Sequence, residues 1–222
     1  EIRCLNLGGT AIGTGLNADV QYFHRVVKNM STLTGEELVQ SYDMIDATQN
    51  LDGFVHTSAT LKVCAVNLSK ICNDLRLLSS GPRAGLGEIN LPPKQNGSSI
   101  MPGKINPVIP EVVTQVAFHV IGNDTTITMA AEAGQMELNA FEPVVFYSLF
   151  SSITSMTGAV NTLVKNCILG ITANEKRCED LVSKSVGITT ALCPYIGYQK
   201  AASIAKKSLK TGESVTSLVL KD

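Results

Sequence analysis

Three long stretches of the chain repeat apolar residues at intervals of three and four, and this spacing constrains the fold more than any other feature. From about Ala59 to Leu78 the apolar positions are Leu61, Cys64, Ala65, Leu68, Ile71, Cys72, Leu75 and Leu78, which share one face of a helix. That helix has room to begin as early as Ile45. A second stretch, Pro107 toward Gly134, carries Ile109, Val112, Val113, Val116, Ala117, Val120 and Ile121. A third, about Phe141 to Ile168, carries Val145, Leu149, Phe150, Ile153, Met156, Val160, Val164 and Cys167. At about 1.5 Å per residue, runs of roughly 25 to 35 residues extend roughly 40 to 50 Å. Wide apolar faces on helices of that length predict an all-α, long-helix bundle that continues into other subunits.

The remaining segments are shorter. Asn17 to Met30 reads as a helix with Asn17 or Asp19 near its start, and Gly35 to Tyr42 as another short one. Beyond Gly170 the pattern changes to brief helices around Asn174 to Ser185, Ile196 to Leu209 and Ser214 to Leu220, with Pro194 and Gly197 punctuating a tight connection. The expected division is therefore a bundle over residues 1–170 and a small helical region over 171–222. Strand-like alternation is weak throughout. With 222 residues and 44% hydrophobic content the chain can bury a sizeable core. A formal net charge of −1 gives no electrostatic case for nucleic acid or a membrane surface. No apolar run reads as long enough to span a bilayer, and the first residues lack a signal-peptide pattern. Six cysteines without a C-x-x-C pair read as reduced thiols of a cytoplasmic protein. His24, His56 and His119 fall within expected helices at no metal-ligand spacing, so no metal site is expected.

Chemistry concentrates in Gly97-Ser98-Ser99-Ile100-Met101-Pro102-Gly103-Lys104-Ile105-Asn106-Pro107. Gly97 and Gly103 permit backbone conformations that turn successive N–H groups toward one anion. Pro107 suits the first turn of the following helix, whose N-terminus is partially positive. Lys104 adds a fixed cation, Asn106 an amide, and Ser98 and Ser99 two hydroxyls. The bland alternative is an ordinary Gly/Ser/Pro connection, with Lys104 solvated and Asn106 capping the helix. A second glycine-rich stretch, Gly8 to Gly15, lacks the Gly-Lys-Ser/Thr ending and the preceding strand of a phosphate loop. It reads instead as a small-residue turn between helices.

The eleven residues from Gly97 to Pro107 also resemble the signature loop of the aspartase/fumarase superfamily of lyases. The likeness extends through Gly9 to Gly15, Ala47-Thr48-Gln49-Asn50, Asn73-Asp74-Leu75-Arg76, Gly122-Asn123-Asp124 and Ile196-Gly197-Tyr198. Family members begin before Glu1 and continue past Asp222, so the chain looks like the middle and later part of such an enzyme. The resemblance implies that Ser98 is the general base, and that Ser99 with the backbone of Ile100 and Met101 holds the aci-carboxylate intermediate. It implies too that Lys104 and Asn106 grip the substrate's other carboxylate. Gly97 and Gly103 shape the loop, and Glu111 would orient a histidine lying upstream of Glu1; a surface glutamate is the alternative there. Asn123 and Asp124 are expected to be structural polar groups of the bundle. Ala131 to Gln135, Glu142-Pro143 and Ser185 to Ile188 look more like aspartases than fumarases, which favours elimination of ammonia from L-aspartate over hydration of fumarate. The resemblance further implies a homotetramer with active sites shared between subunits, a small dicarboxylate substrate and no organic cofactor, with divalent-cation activation in some members. Lacking the upstream residues, this chain alone is expected to turn over little; an inactive structural fragment is the alternative of another class.

Overall fold

Asp19 settles where the first helix begins. In the computed structural model, which describes residues 2–81, 83–95 and 100–221, its carboxylate accepts from the Gln21 and Tyr22 amides at 2.7 and 3.2 Å. These are two of the donors a helix start leaves unsatisfied. Helix α1 then runs Val20–Thr34 and stops where Gly35 takes a left-handed φ of 74°. Before it lies a two-residue strand, β1 (Cys4–Leu5), and after it another, β2 (Val39–Gln40), paired in parallel. The short helix expected over Gly35 to Tyr42 is thus absent. Gly35 breaks the helical path, and the Val39 and Ser41 amides are satisfied by the Arg3 and Leu5 carbonyls, both at 3.0 Å. A single turn, α2 (Asp46–Gln49), follows. Asn50 is extended, so α3 (Asp52–Leu78) starts afresh rather than from Ile45.

The three long helices form as expected. Helix α4 spans Val108–Glu132 and α5 spans Glu142–Asn166, each 25 residues, beside the 27 of α3. Contacts divide the chain into two units, each assembled from two separated stretches: Glu1–Asn73 with Val108–Asn166, and Asp74–Pro107 with Cys167–Asp222.

In the first unit, Ala65, Ala117, Val120 and Met156 pack together, as do Leu51, Ile127, Ala130, Val145 and Leu149. Polar groups are threaded through this core. Asp124, 4% exposed, accepts from Ser58 Oγ at 2.9 Å and Lys62 Nζ at 2.5 Å, tying α4 to α3. Asn123 Nδ2 donates to Ser152 Oγ at 3.0 Å and to the Ser148 carbonyl at 3.3 Å, tying α4 to α5. Both residues therefore have the structural partners expected of them. Asn139 closes the turn between α4 and α5: its amide donates to the Ala130 and Ala131 carbonyls at 3.0 and 3.1 Å, and its oxygen accepts from the Phe141 amide at 2.8 Å. One expectation is corrected here. Glu142–Gly170, 29 residues that include an 18-residue stretch of mean hydropathy 1.2, is long and apolar enough to cross a membrane by length and composition. Its buried Ser148 and Ser152 and its packing on α4 are those of a bundle-core helix.

The glycine-rich stretch Gly8 to Gly15 follows a strand and precedes α1, so it is not a turn between helices. Gly13 has φ 82°, and a Cβ placed there would lie 2.3 Å from the Met44 carbonyl oxygen. Close packing is the role the structure gives this glycine.

In the second unit, β3 (Ile89–Asn90) pairs antiparallel with β4 (Thr172–Ala173). Helices α6 (Glu175–Lys184), α7 (Ile188–Ile196), α8 (Tyr198–Thr211) and α9 (Val215–Lys221) complete it. Ile204, Val215 and Leu218 form its core, joined by Ile188, Leu192 and Ile196. Helix α7 replaces the connection expected around Pro194. The proline sits in the last turns, where it removes one intrahelical donor, and Gly197 at φ 81° ends the helix.

Candidate active site

Met101-Pro102-Gly103-Lys104 folds as a tight turn in which the Lys104 amide donates to the Met101 carbonyl at 3.2 Å. Proline at the second position and a glycine with φ 81° at the third are the requirements of a type II turn. A Cβ on Gly103 would meet nothing within 4 Å, so it is backbone conformation and not crowding that makes glycine suitable here. Ile100, Met101 and Lys104 are exposed, and Asn106 is half-buried on the irregular segment that leads to Pro107 and into α4. Lys104 carries no ion pair among the described residues. An exposed, uncompensated ammonium on a turned loop is suited to capturing a carboxylate.

Gly97, Ser98 and Ser99 lie outside the described residues. Glu111 is half-buried in the first turn of α4. The turn thus brings Met101 and Lys104 together, while Asn106 and Glu111 follow in the succeeding segments. Among the described residues no group of three or more His, Cys, Asp or Glu side chains could hold a metal ion. His119 Nε2 lies 3.3 Å from Ser151 Oγ and 3.2 Å from Asn123 Nδ2, within the α4–α5 seam.

Sequence reasoning passed over a side-chain pair in the segment that leads toward this loop. Asn90 and Asn174 exchange side-chain hydrogen bonds of 2.7 and 3.1 Å. They are 84 positions apart, so no spacing in the sequence could have paired them.

The profile of a family described as "Lyase" matches residues 1–122, and that of "Fumarase C C-terminus" matches residues 188–222. An aspartate ammonia-lyase of Helicobacter pylori is 57% identical over 219 residues, covering 99% of this chain and 47% of that protein. One from Bacillus subtilis is 54% identical over 216 residues, covering 97% and 46%. The chain spans about half the length of the curated relatives it matches. Among solved structures, fumarate lyase:delta crystallin from Brucella melitensis superposes with a TM-score of 0.93 at 50% identity, over 99% of this chain and 48% of that one. Class II fumarase from Schistosoma mansoni superposes with a TM-score of 0.92 at 30% identity, over 99% and 49%.

Proposed function

The chain belongs to the aspartase/fumarase superfamily of lyases, and on that premise we propose that the complete protein is an ammonia-lyase converting L-aspartate reversibly to fumarate and ammonia. The observation that carries this reading is the 54 to 57% identity, along nearly the whole chain, to relatives named aspartate ammonia-lyase.

On this reading Ser98 removes a proton from the carbon beside the substrate's side-chain carboxylate. A serine hydroxyl gives up its own proton reluctantly, so its alkoxide needs stabilisation from the loop amides and the Lys104 ammonium, with water excluded. Loss of the carbon-bound proton leaves a doubly charged aci-carboxylate, which Ser99 and the backbone of Ile100 and Met101 would hydrogen-bond. Lys104 and Asn106 would hold the other carboxylate. The turned backbone of Lys104, and its lack of an ion pair among the described residues, support that role. Holding charge that develops only in the transition state is where most of the acceleration arises. The bond to nitrogen then breaks as the electron pair of the aci-carboxylate forms the double bond of fumarate.

The reading extends to a homotetramer whose active sites are shared between subunits, working in the cytoplasm. Wide exposed apolar faces on the long helices support the first, and cysteines joined in no disulfide among the described residues the second.

Purified complete protein given L-aspartate should release fumarate and ammonia in equal amounts. Fumarate from L-malate alone would sink the ammonia-lyase reading in favour of a hydratase. Ser98→Ala should lower turnover by roughly 10²- to 10⁴-fold, the range for a general base; unchanged turnover would remove Ser98 from that role.

A further inference from the structure

A loop is restrained by its two ends, and one end of the signature loop runs covalently into α4 at Val108. Its other end emerges from β3 through Leu91-Pro92-Pro93. Two consecutive prolines fix their own φ angles and hold Leu91 and Pro92 away from the helical region, so this stem has few internal freedoms. Residues 85–92 therefore set the direction in which the chain leaves β3 toward the loop.

Three residues from the chain beyond Cys167 act on that segment, all within the second unit. Arg177 forks onto two successive carbonyls, Nε donating to Leu86 at 2.9 Å and Nη2 to Gly85 at 3.2 Å. Asn174 donates from its backbone to the Glu88 carbonyl at 2.8 Å, and from its side chain to the Gly87 carbonyl at 2.8 Å and to Asn90 at 3.1 Å. Gly170 lies under the stem itself: a Cβ there would come within 2.5 Å of Pro92 Cγ, a ring atom with little freedom to move aside. The β3–β4 ladder runs between these contacts.

We infer that Gly170, Asn174 and Arg177 are positioning residues for the signature loop, fixing its root although none belongs to it. The kinetic consequence rests on the ammonia-lyase reading; the structural one does not.

The test uses the complete protein and two readouts, hydrogen exchange and kcat/KM for L-aspartate. In Arg177→Ala and in Asn174→Ala the Lys104 amide should exchange about tenfold faster, and kcat/KM should fall about tenfold, the scale of one or two lost hydrogen bonds. Amides of α4 and α5 should exchange as in the parent. Arg177→Lys should recover part of both effects, because an ammonium reaches one carbonyl but cannot fork across two. Gly170→Ala should give the same exchange signature without deleting a polar contact. Parent-like exchange at Lys104 in all three disruptive variants overturns the inference, and so does exchange that rises across α4 and α5 as well. Faster exchange with unchanged kcat/KM, in a parent that turns over L-aspartate, overturns it too. A parent inactive on L-aspartate fails the ammonia-lyase reading, and exchange at Lys104 then decides the inference alone.

Discussion

On the proposed reading, Lys104 meets the substrate carboxylate with its charge uncompensated by any ion pair among the described residues. Lys104→Ala should therefore lower kcat/KM for L-aspartate by about 10- to 100-fold, corresponding to about 1.5–3 kcal/mol for a hydrogen bond to a charged group. Steady-state kinetics of the complete protein checks this. Asp124 shows the opposite use of charge. Its carboxylate is buried between Ser58 and Lys62, and Asp124→Ala should cost about 1–3 kcal/mol, read as a lowered denaturation midpoint. The cost stays below that of a fully buried pair because the Lys62 side chain is 41% exposed and can rehydrate. Burial pushes the Cys167 thiol above the ordinary cysteine value. Its folded-state pKa is raised, so its contribution to stability is complete below the unfolded value and is lost as pH climbs through the folded one. Alkylation of the native protein at mildly alkaline pH should leave Cys167 and the buried Cys72 unmodified until denaturant is added, with mass spectrometry as the readout.

At the scale of elements, Asn139 joins two helices with one side chain, closing the end of α4 and the start of α5. Asn139→Ala should cost about 1–3 kcal/mol, since buried carbonyls and an amide lose their partner together. Thermal unfolding of the variant is the measurement. The long helices were legible because each buries a stripe, and a stripe leaves its period in the sequence. The signature loop was legible as a motif, but the turn made by Pro102 and Gly103 was not anticipated, although the pair carries its residue preferences. The strands β1 and β2 were not, because two residues carry no period and their pairing depends on a partner more than thirty positions away. Helix α7 was hidden by Pro194, whose effect depends on where in a helix it falls. Arg177 escaped notice for another reason. Its importance lies in two backbone carbonyls some ninety residues earlier, and backbone acceptors have no sequence signature.

For the whole molecule, Phe118 on α4 and Tyr147 and Phe150 on α5 stand 62%, 76% and 61% exposed. Large aromatics left in water on bundle helices are the mark of a surface that meets other chains. Sedimentation of the complete protein should give the mass of four chains, and a stable monomer at working concentration would sink the tetramer. The interleaving of the two units has a consequence for synthesis. Chains leave the ribosome from the N-terminus, and domains fold as their segments become available. The first unit waits for Val108–Asn166, and the second for Cys167–Asp222. The signature loop is therefore made well before Asn174 and Arg177 exist to hold its root. The helical hairpin of α4 and α5, closed by a short local turn, has the contacts that form fastest. Within this stretch of chain the scaffold hairpin can thus form before the residues proposed to hold the root of the substrate-binding loop are made.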